Sequence, residues 1–305
     1  VMLPPKSLSF ENVISCTKRL DPNILKDNSI QSTLFQLICK TIDFNYKSLV
    51  YVLSLFVSLL SGRNTELYTV LKSLFQKFSK HSQLYFEVFD FFTRSIDAVP
   101  VEFNLSFAQI ASIFLSTVPK DADANRYNSK CFTFYVNALQ SGNECVAMQI
   151  LTSLKDLLTN QSWIFKQNLL EITLVIVKTG LQKLNSFANQ EQIYILSTQI
   201  VSHILLYHRF KIATRHHLVL NVMSSLLKYL ADGTSKLSSN TEAASAYARL
   251  LSNLCEPSER VGDKMSHLTT SASYFKKLLR KHLSVLLSNY IYFNLKYTFT
   301  RTVND

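Results

Sequence analysis

Four of the chain's seven histidines lie within fifteen positions, from His203 to His217, together with Arg209, Lys211 and Arg215. Imidazole can ligate a metal, move a proton near neutral pH or donate a hydrogen bond. Clustered cations can hold a phosphate or a carboxylate. Spacing sorts these chemistries. Ile193, Leu196, Ile200, Ile204 and Tyr207 recur every three or four residues, which predicts one apolar helical stripe. Val219, Val222, Met223, Leu226, Leu227 and Leu230 predict a second. Phe210 to Ala213 interrupts the pattern, and Thr214 is a good N-cap for the helix that follows. The stretch therefore reads as helix, tight basic turn, helix. His203, three after Ile200, and His216, three before Val219, face inward, with Arg215 at the edge of that face. His217 aligns with Asn221, Ser224 and Lys228 on the wet side, and His208, Arg209 and Lys211 sit on the turn. Adjacent histidines on a helix point about 100° apart. No paired cysteine or carboxylate cluster completes a ligand set around them, which argues against a metal. Two uses remain. Arg215, His203 and His216 suit hydrogen bonds to free carbonyls where two helices meet. The turn residues suit contact with a partner or a phosphate.

Other chemistry finds no support. The phosphate-cradling, dinucleotide, nucleophile-elbow, zinc-protease and C-x-x-C patterns are all absent. The carboxylate pairs Asp121/Asp123 and Glu256/Glu259 fall in polar stretches that would not raise a pKa for acid–base work. Cys255 has no histidine fixed beside it in sequence. The chain reads as a non-enzyme that uses no cofactor and no metal.

The elements that must position these residues are helices. The chain has 305 residues, 47% hydrophobic and 17% charged, so it can bury a large core. It has only 5 glycines and 6 prolines, too few for glycine-dependent loops, hairpin turns and doubly wound sheets. Periodicity and stop signals predict helices at 11–20, 30–42, 46–60, 65–79, 83–97, 105–118, 127–140, 144–159, 163–184, 190–207, 214–231, 242–255 and 271–297. Short connections between them, without letter-for-letter repeats, predict an all-α fold. The favoured form is an irregular α-solenoid, a right-handed HEAT- or armadillo-like stack of antiparallel helices. A single globular bundle is the competing arrangement. The domain reading is a helical-repeat region at 1–160, continuous with a C-terminal helical region at 161–305. Asp232–Thr241 and Glu256–Thr270 are polar stretches that read as solvated connectors or contact loops. The last predicted helix is amphipathic. Lys276, Lys277, Arg280 and Lys281 offer a basic ridge for a phosphate backbone, or an ordinary solvated face.

The net charge is +11 and uneven: residues 201–305 carry 14 Lys/Arg against 6 Asp/Glu, residues 1–200 carry 18 against 15. The excess favours an anionic partner, RNA or an acidic protein, for the C-terminal third. Five dispersed cysteines, an odd number, read as reduced packed thiols of a nuclear or cytosolic protein. The longest apolar run, Leu49 to Leu60, is 12 residues, short of the roughly 20 a membrane span needs. The chain begins at Val1 with no targeting segment, so it is expected to be part of a longer protein.

Three ordered blocks carry a family resemblance. They are Leu206–Lys211 with Thr214–Leu218, then Ala248–Pro257, then Lys281–Ile291. Trp163–Glu171 adds an upstream stretch. Together they resemble the C-terminal domain of the "unhealthy ribosome biogenesis protein two" family of nucleolar pre-ribosomal-associated proteins, over roughly residues 160–295. The turn departs from the family pattern, with Ala213-Thr214 in place of a glycine-containing turn. The resemblance implies a nucleolar, non-enzymatic factor of early large (60S) subunit biogenesis, required for pre-rRNA processing and pre-60S assembly. It also implies a complex with a larger helical-repeat assembly factor, a DEAD-box RNA helicase and small assembly factors, and pre-rRNA contacted directly or indirectly, with no membrane. A helical-repeat RNA-binding module is the alternative. A nuclear transport adaptor is another, but it would need acidic inner surfaces for basic cargo, and this chain is basic.

Overall fold

A computed structural model describes residues 9–21, 27–42, 45–59, 65–94, 103–119, 124–160, 167–207, 216–231, 237 and 240–255. All regular structure among them is helical, in twelve α-helices and one 3-10 turn. The chain divides into two compact units, Val1–Ala138 and Leu139–Asp305. The first holds α1 (Phe10–Thr17), α2 (Asn28–Thr41), α3 (Tyr46–Leu59), α4 (Thr65–Phe78), α5 (Ser82–Arg94), α6 (Asn104–Ser116) and most of α7 (Ala124–Gln140). The second holds α8 (Glu144–Asn160), α9 (Gln167–Gln182), α10 (Gln190–Tyr207), α11 (His216–Ala231) and α12 (Thr241–Cys255), with the 3-10 turn at Leu184–Ser186. The last helix read from sequence, at 271–297, lies outside the described residues, as do Trp163 and both polar stretches apart from Leu237, Asn240 and Thr241.

Starts move where a capping side chain precedes the apolar pattern. The spacing predicts α2 from Ile30, yet it begins at Asn28. The Asp27 carboxylate accepts from the backbone N–H of Ser29 at 2.8 Å and of Ile30 at 3.3 Å. Ser9 caps α1 through Asn12 N–H at 3.3 Å, one residue earlier than the pattern implies. Asn45, Asn143 and Asn240 do the same for Ser48, Val146 and Ala243 at 2.9, 3.2 and 2.8 Å. At Gly142 the backbone takes φ +77°, which a residue without Cβ adopts freely. The turn after α7 forms there, with the Gly142 N–H donating to the Leu139 carbonyl at 3.2 Å.

The core of the first unit is aromatic. Every residue of α6 from Ser106 to Leu115 is buried, so this helix has no wet side. Around Phe114 stand Phe75 at 4.3 Å, Phe89 at 5.0 Å, Tyr85 at 5.4 Å and Phe92 at 5.6 Å between ring centroids. Most meet edge-on or tilted, the arrangement ring quadrupoles favour. The fully buried Tyr85 hydroxyl donates to the Phe114 carbonyl at 2.8 Å and lies 2.7 Å from the Thr117 hydroxyl. Phe114 is in the last turn of α6, where its carbonyl otherwise receives only the longer branch of the Thr117 N–H, at 3.3 Å. Burial raises the Tyr85 phenol well above its ordinary pKa, so it stays a donor.

Helices two apart in sequence pack together: α2 on α4, α3 on α5 and α4 on α6 in the first unit. In the second, α8 packs on α10, α9 on α11 and α10 on α12. For α5 and α7 the register is visible in side chains. The Arg126 guanidinium stands 4.0 Å from the centroid of the Phe86 ring, and the Lys130 ammonium meets the Asp90 carboxylate at 2.7 Å. Both pairs are forty positions apart, so the two helices run parallel. Arg94 joins Asp90 from the next turn of α5. Burial alone would raise the Asp90 carboxyl; the Lys130 and Arg94 charges outweigh it and hold the group below its ordinary value.

Tyr85→Phe should lower folding stability by about 0.5–1.5 kcal/mol, because the buried Phe114 carbonyl loses its shorter hydrogen bond and keeps only that from the Thr117 N–H. The measure is the urea midpoint at constant slope. An unmoved midpoint would mean the hydroxyl contributes nothing.

Candidate partner interface

The geometry best defined near the sequence candidates is the seam between α8 and α10. Glu144 opens α8. Its carboxylate accepts from the backbone N–H of Ala188 at 2.8 Å and of Asn189 at 3.1 Å, and from the Asn189 side-chain amide. Asn189 immediately precedes α10. A carboxylate from one helix thus satisfies free N–H groups at the start of another, where the helix dipole also favours negative charge. At the far end, His203 of α10 hydrogen-bonds the backbone of Leu158 in the last turn of α8. The bond favours the charged imidazole, so the imidazole donates and the Leu158 carbonyl accepts. The two attachments share one 45-residue register, Glu144 to Asn189 and Leu158 to His203, so α8 and α10 run parallel.

His203 therefore does what the helical spacing predicts for an inward histidine, although it is half-buried rather than fully enclosed. Burial pulls its pKa below the ordinary value, and the bond to Leu158 opposes part of that fall. Tyr207 corrects the stripe reading. Its side chain is 64% exposed, because it is the last residue of α10 and lies beyond the packed seam. Its ring stands 4.6 Å from that of His203. Of the rest, Ile193, Ile200 and Ile204 are fully buried and Leu196 is half-buried, while Val219, Val222, Met223, Leu226, Leu227 and Leu230 of α11 are all buried. Between α10 and α12 the phenols of Tyr194 and Tyr247 are also buried, which raises both well above their ordinary range.

Of the residues singled out from sequence, His208, Arg209, Lys211, Arg215, Lys276, Lys277, Arg280 and Lys281 lie outside the described residues. His216 and His217 begin α11, and their side chains are outside the description. Sequence reasoning missed Glu144 and the carbonyl of Leu158. A glutamate in a first turn reads as a cap for its own helix, and nothing in the spacing points 45 residues ahead. Asn189, a polar residue just before an apolar pattern, did offer a capping signal.

Among the described residues no three His, Cys, Asp or Glu side chains could together hold a metal ion. No described helix is long and apolar enough to cross a membrane. The cysteines divide. Cys131 is enclosed, and burial raises its thiol well above the ordinary value. Cys16 and Cys145 are exposed, which corrects the expectation that the thiols are packed, since both fall on the wet faces of their helices.

The Urb2/Npa2 family model matches residues 148–305, a span that takes in α9 to α12 and most of α8. No curated protein and no solved structure matches the chain.

Glu144→Ala should cost about 0.5–2 kcal/mol, the scale of a lost N-cap, measured by urea unfolding. The His203 shift has a sign. The unfolded chain takes up the proton at its ordinary pKa of about 6.5, before the folded chain does. Stability is therefore complete above that pH and falls as pH drops through it. His203→Gln keeps a donor for the Leu158 carbonyl and should flatten this fall. The same pH slope in both proteins would assign it to another group.

Proposed function

The chain belongs to the Urb2/Npa2 family, whose match covers more than half of it, and from that premise we propose that it is a non-catalytic scaffold of early large-subunit assembly. The family is one of ribosome-biogenesis factors and is not known for enzymatic activity, which gives this chain a role in ribosome biogenesis and points to the nucleus. In the proposed reading the protein works in the nucleolus, in pre-60S particles, and is needed for pre-rRNA processing. Its partners there are a large helical-repeat assembly factor, a DEAD-box RNA helicase and small assembly factors.

The observation that carries the reading is the coincidence of the family match with the helices that stack two apart, α8 on α10 on α12 and α9 on α11. A register near 40–47 residues between parallel helices is that of HEAT and armadillo repeats, and it supports an irregular α-solenoid. Such stacks present long continuous surfaces, which suits a protein that holds several partners at once. The basic excess of residues 201–305 supports pre-rRNA as one of them. His208, Arg209, Lys211 and His217 are the proposed contacts of the basic turn, and Lys276, Lys277, Arg280 and Lys281 those of the last predicted helix.

Residue-resolved protein and RNA crosslinking of the tagged full-length protein in purified pre-ribosomal particles tests this. The reading expects crosslinks to helical assembly factors. Crosslinks to pre-rRNA alone would replace the scaffold with an RNA-binding module. Arg209→Glu with Lys211→Glu should weaken recruitment to the particle by about tenfold or more while leaving the melting temperature unchanged, since two charge reversals oppose each anionic contact. Recruitment at the level of the unmodified protein would remove the turn from the interface.

A further inference from the structure

The first unit carries a cationic face of its own, on α4 and the adjoining end of α2. The exposed side of α4 presents Lys72, Ser73, Gln76 and Lys77, and Lys80 follows in the turn that ends it. Lys72, Gln76 and Lys80 are spaced by four, and Ser73 and Lys77 form the next row, so the cations make a ridge on one side. From Lys72 to Lys80 this ridge is about 12 Å long at 1.5 Å per residue. Lys40 is exposed in the last turn of α2, which packs on α4. Lys77 is close enough to Cys39, the neighbour of Lys40, for its charge to act on that thiol. That places the ends of the two helices side by side. The single acidic residue of α4, Glu66, is in the first turn, six positions before Lys72 and out of pairing reach on a helix. The ion pairs that Asp90 makes with Arg94 and Lys130 take up none of these lysines.

We propose that this α4 face binds the phosphate backbone of RNA. Lysines interleaved with a hydroxyl and an amide form the side-chain set that contacts phosphate and sugar. A protein interface is built differently: its core is depleted in lysine and anchored by aromatic residues or arginine, whereas the exposed positions here are lysine, serine and glutamine, with Tyr68 half-buried at the near end of the row. Contact of this type reads charge and spacing rather than base sequence. The face lies outside the residues matched by the family model, so the proposal stands apart from the reading above.

The test is fluorescence anisotropy of the 305-residue chain with a labelled uridine 20-mer, over a series of salt concentrations. The comparison is Lys72→Gln with Lys77→Gln and Lys80→Gln, three exposed changes that keep the helix. Each phosphate contact on single-stranded nucleic acid contributes about 0.7 to the slope of log affinity against log salt. The triple variant should therefore flatten that slope by about 2 and lose at least tenfold in affinity at low salt. An unchanged slope would overturn the proposal, above all if Lys276→Gln, Lys277→Gln, Arg280→Gln and Lys281→Gln together abolish binding instead. Binding of labelled polyglutamate that the RNA cannot displace would also overturn it, and would make the face a dock for an acidic protein.

Discussion

Two helix ends hold the second unit in register. The free N–H groups before α10 are satisfied from α8 by Glu144, and a free carbonyl at the end of α8 is satisfied from α10 by His203. Each bond alone contributes little. Together they act at opposite ends of one pair and oppose both its sliding and its rotation. The apolar faces of α9, α11 and α12 pack around this pair and against one another.

The first unit meets the same need with aromatic residues. The usual end of a helix is a glycine in the left-handed conformation, whose geometry returns the chain to the free carbonyls. This chain has 5 glycines, and among the described residues only Gly142 takes a positive φ. Carbonyls at helix ends must find donors elsewhere. Tyr85 adds a shorter bond to Phe114 of α6 beside that from the Thr117 N–H, and His203 supplies one to Leu158 of α8. A shortage of glycine in the composition thus appears in the fold as side chains from one helix closing the ends of another.

Much of the fold was legible from one-dimensional spacing. The bounds of α10 agree with the periodic reading at both ends, and α4 and α8 agree within a residue. The spacing fails where the deciding group lies outside the repeat. Asp27 and Ser9 start their helices early because a capping oxygen, not an apolar stripe, fixes the first turn. Tyr207 fits the stripe yet faces solvent, because the helix it would pack on has already ended. Of the candidate interface, the inward histidine was legible because its direction follows from Ile200. Its partner was not. Periodicity says which way a side chain points and never which carbonyl, 45 residues away, it meets.

The α8–α10 attachments also measure length. From Glu144 to Leu158 is fourteen residues along α8, and from Asn189 to His203 is fourteen along α10. Both intervals span about 21 Å of helix. One residue gained or lost inside either interval would turn an attachment point by about 100° and shift it by 1.5 Å, detaching one end while the other held. Between Leu158 and Asn189, α9 is held by its own buried face, and the connections on either side of it are under no such rule. Insertions and deletions in descendants of this sequence should therefore collect in the connections beside α9 and spare both rulers.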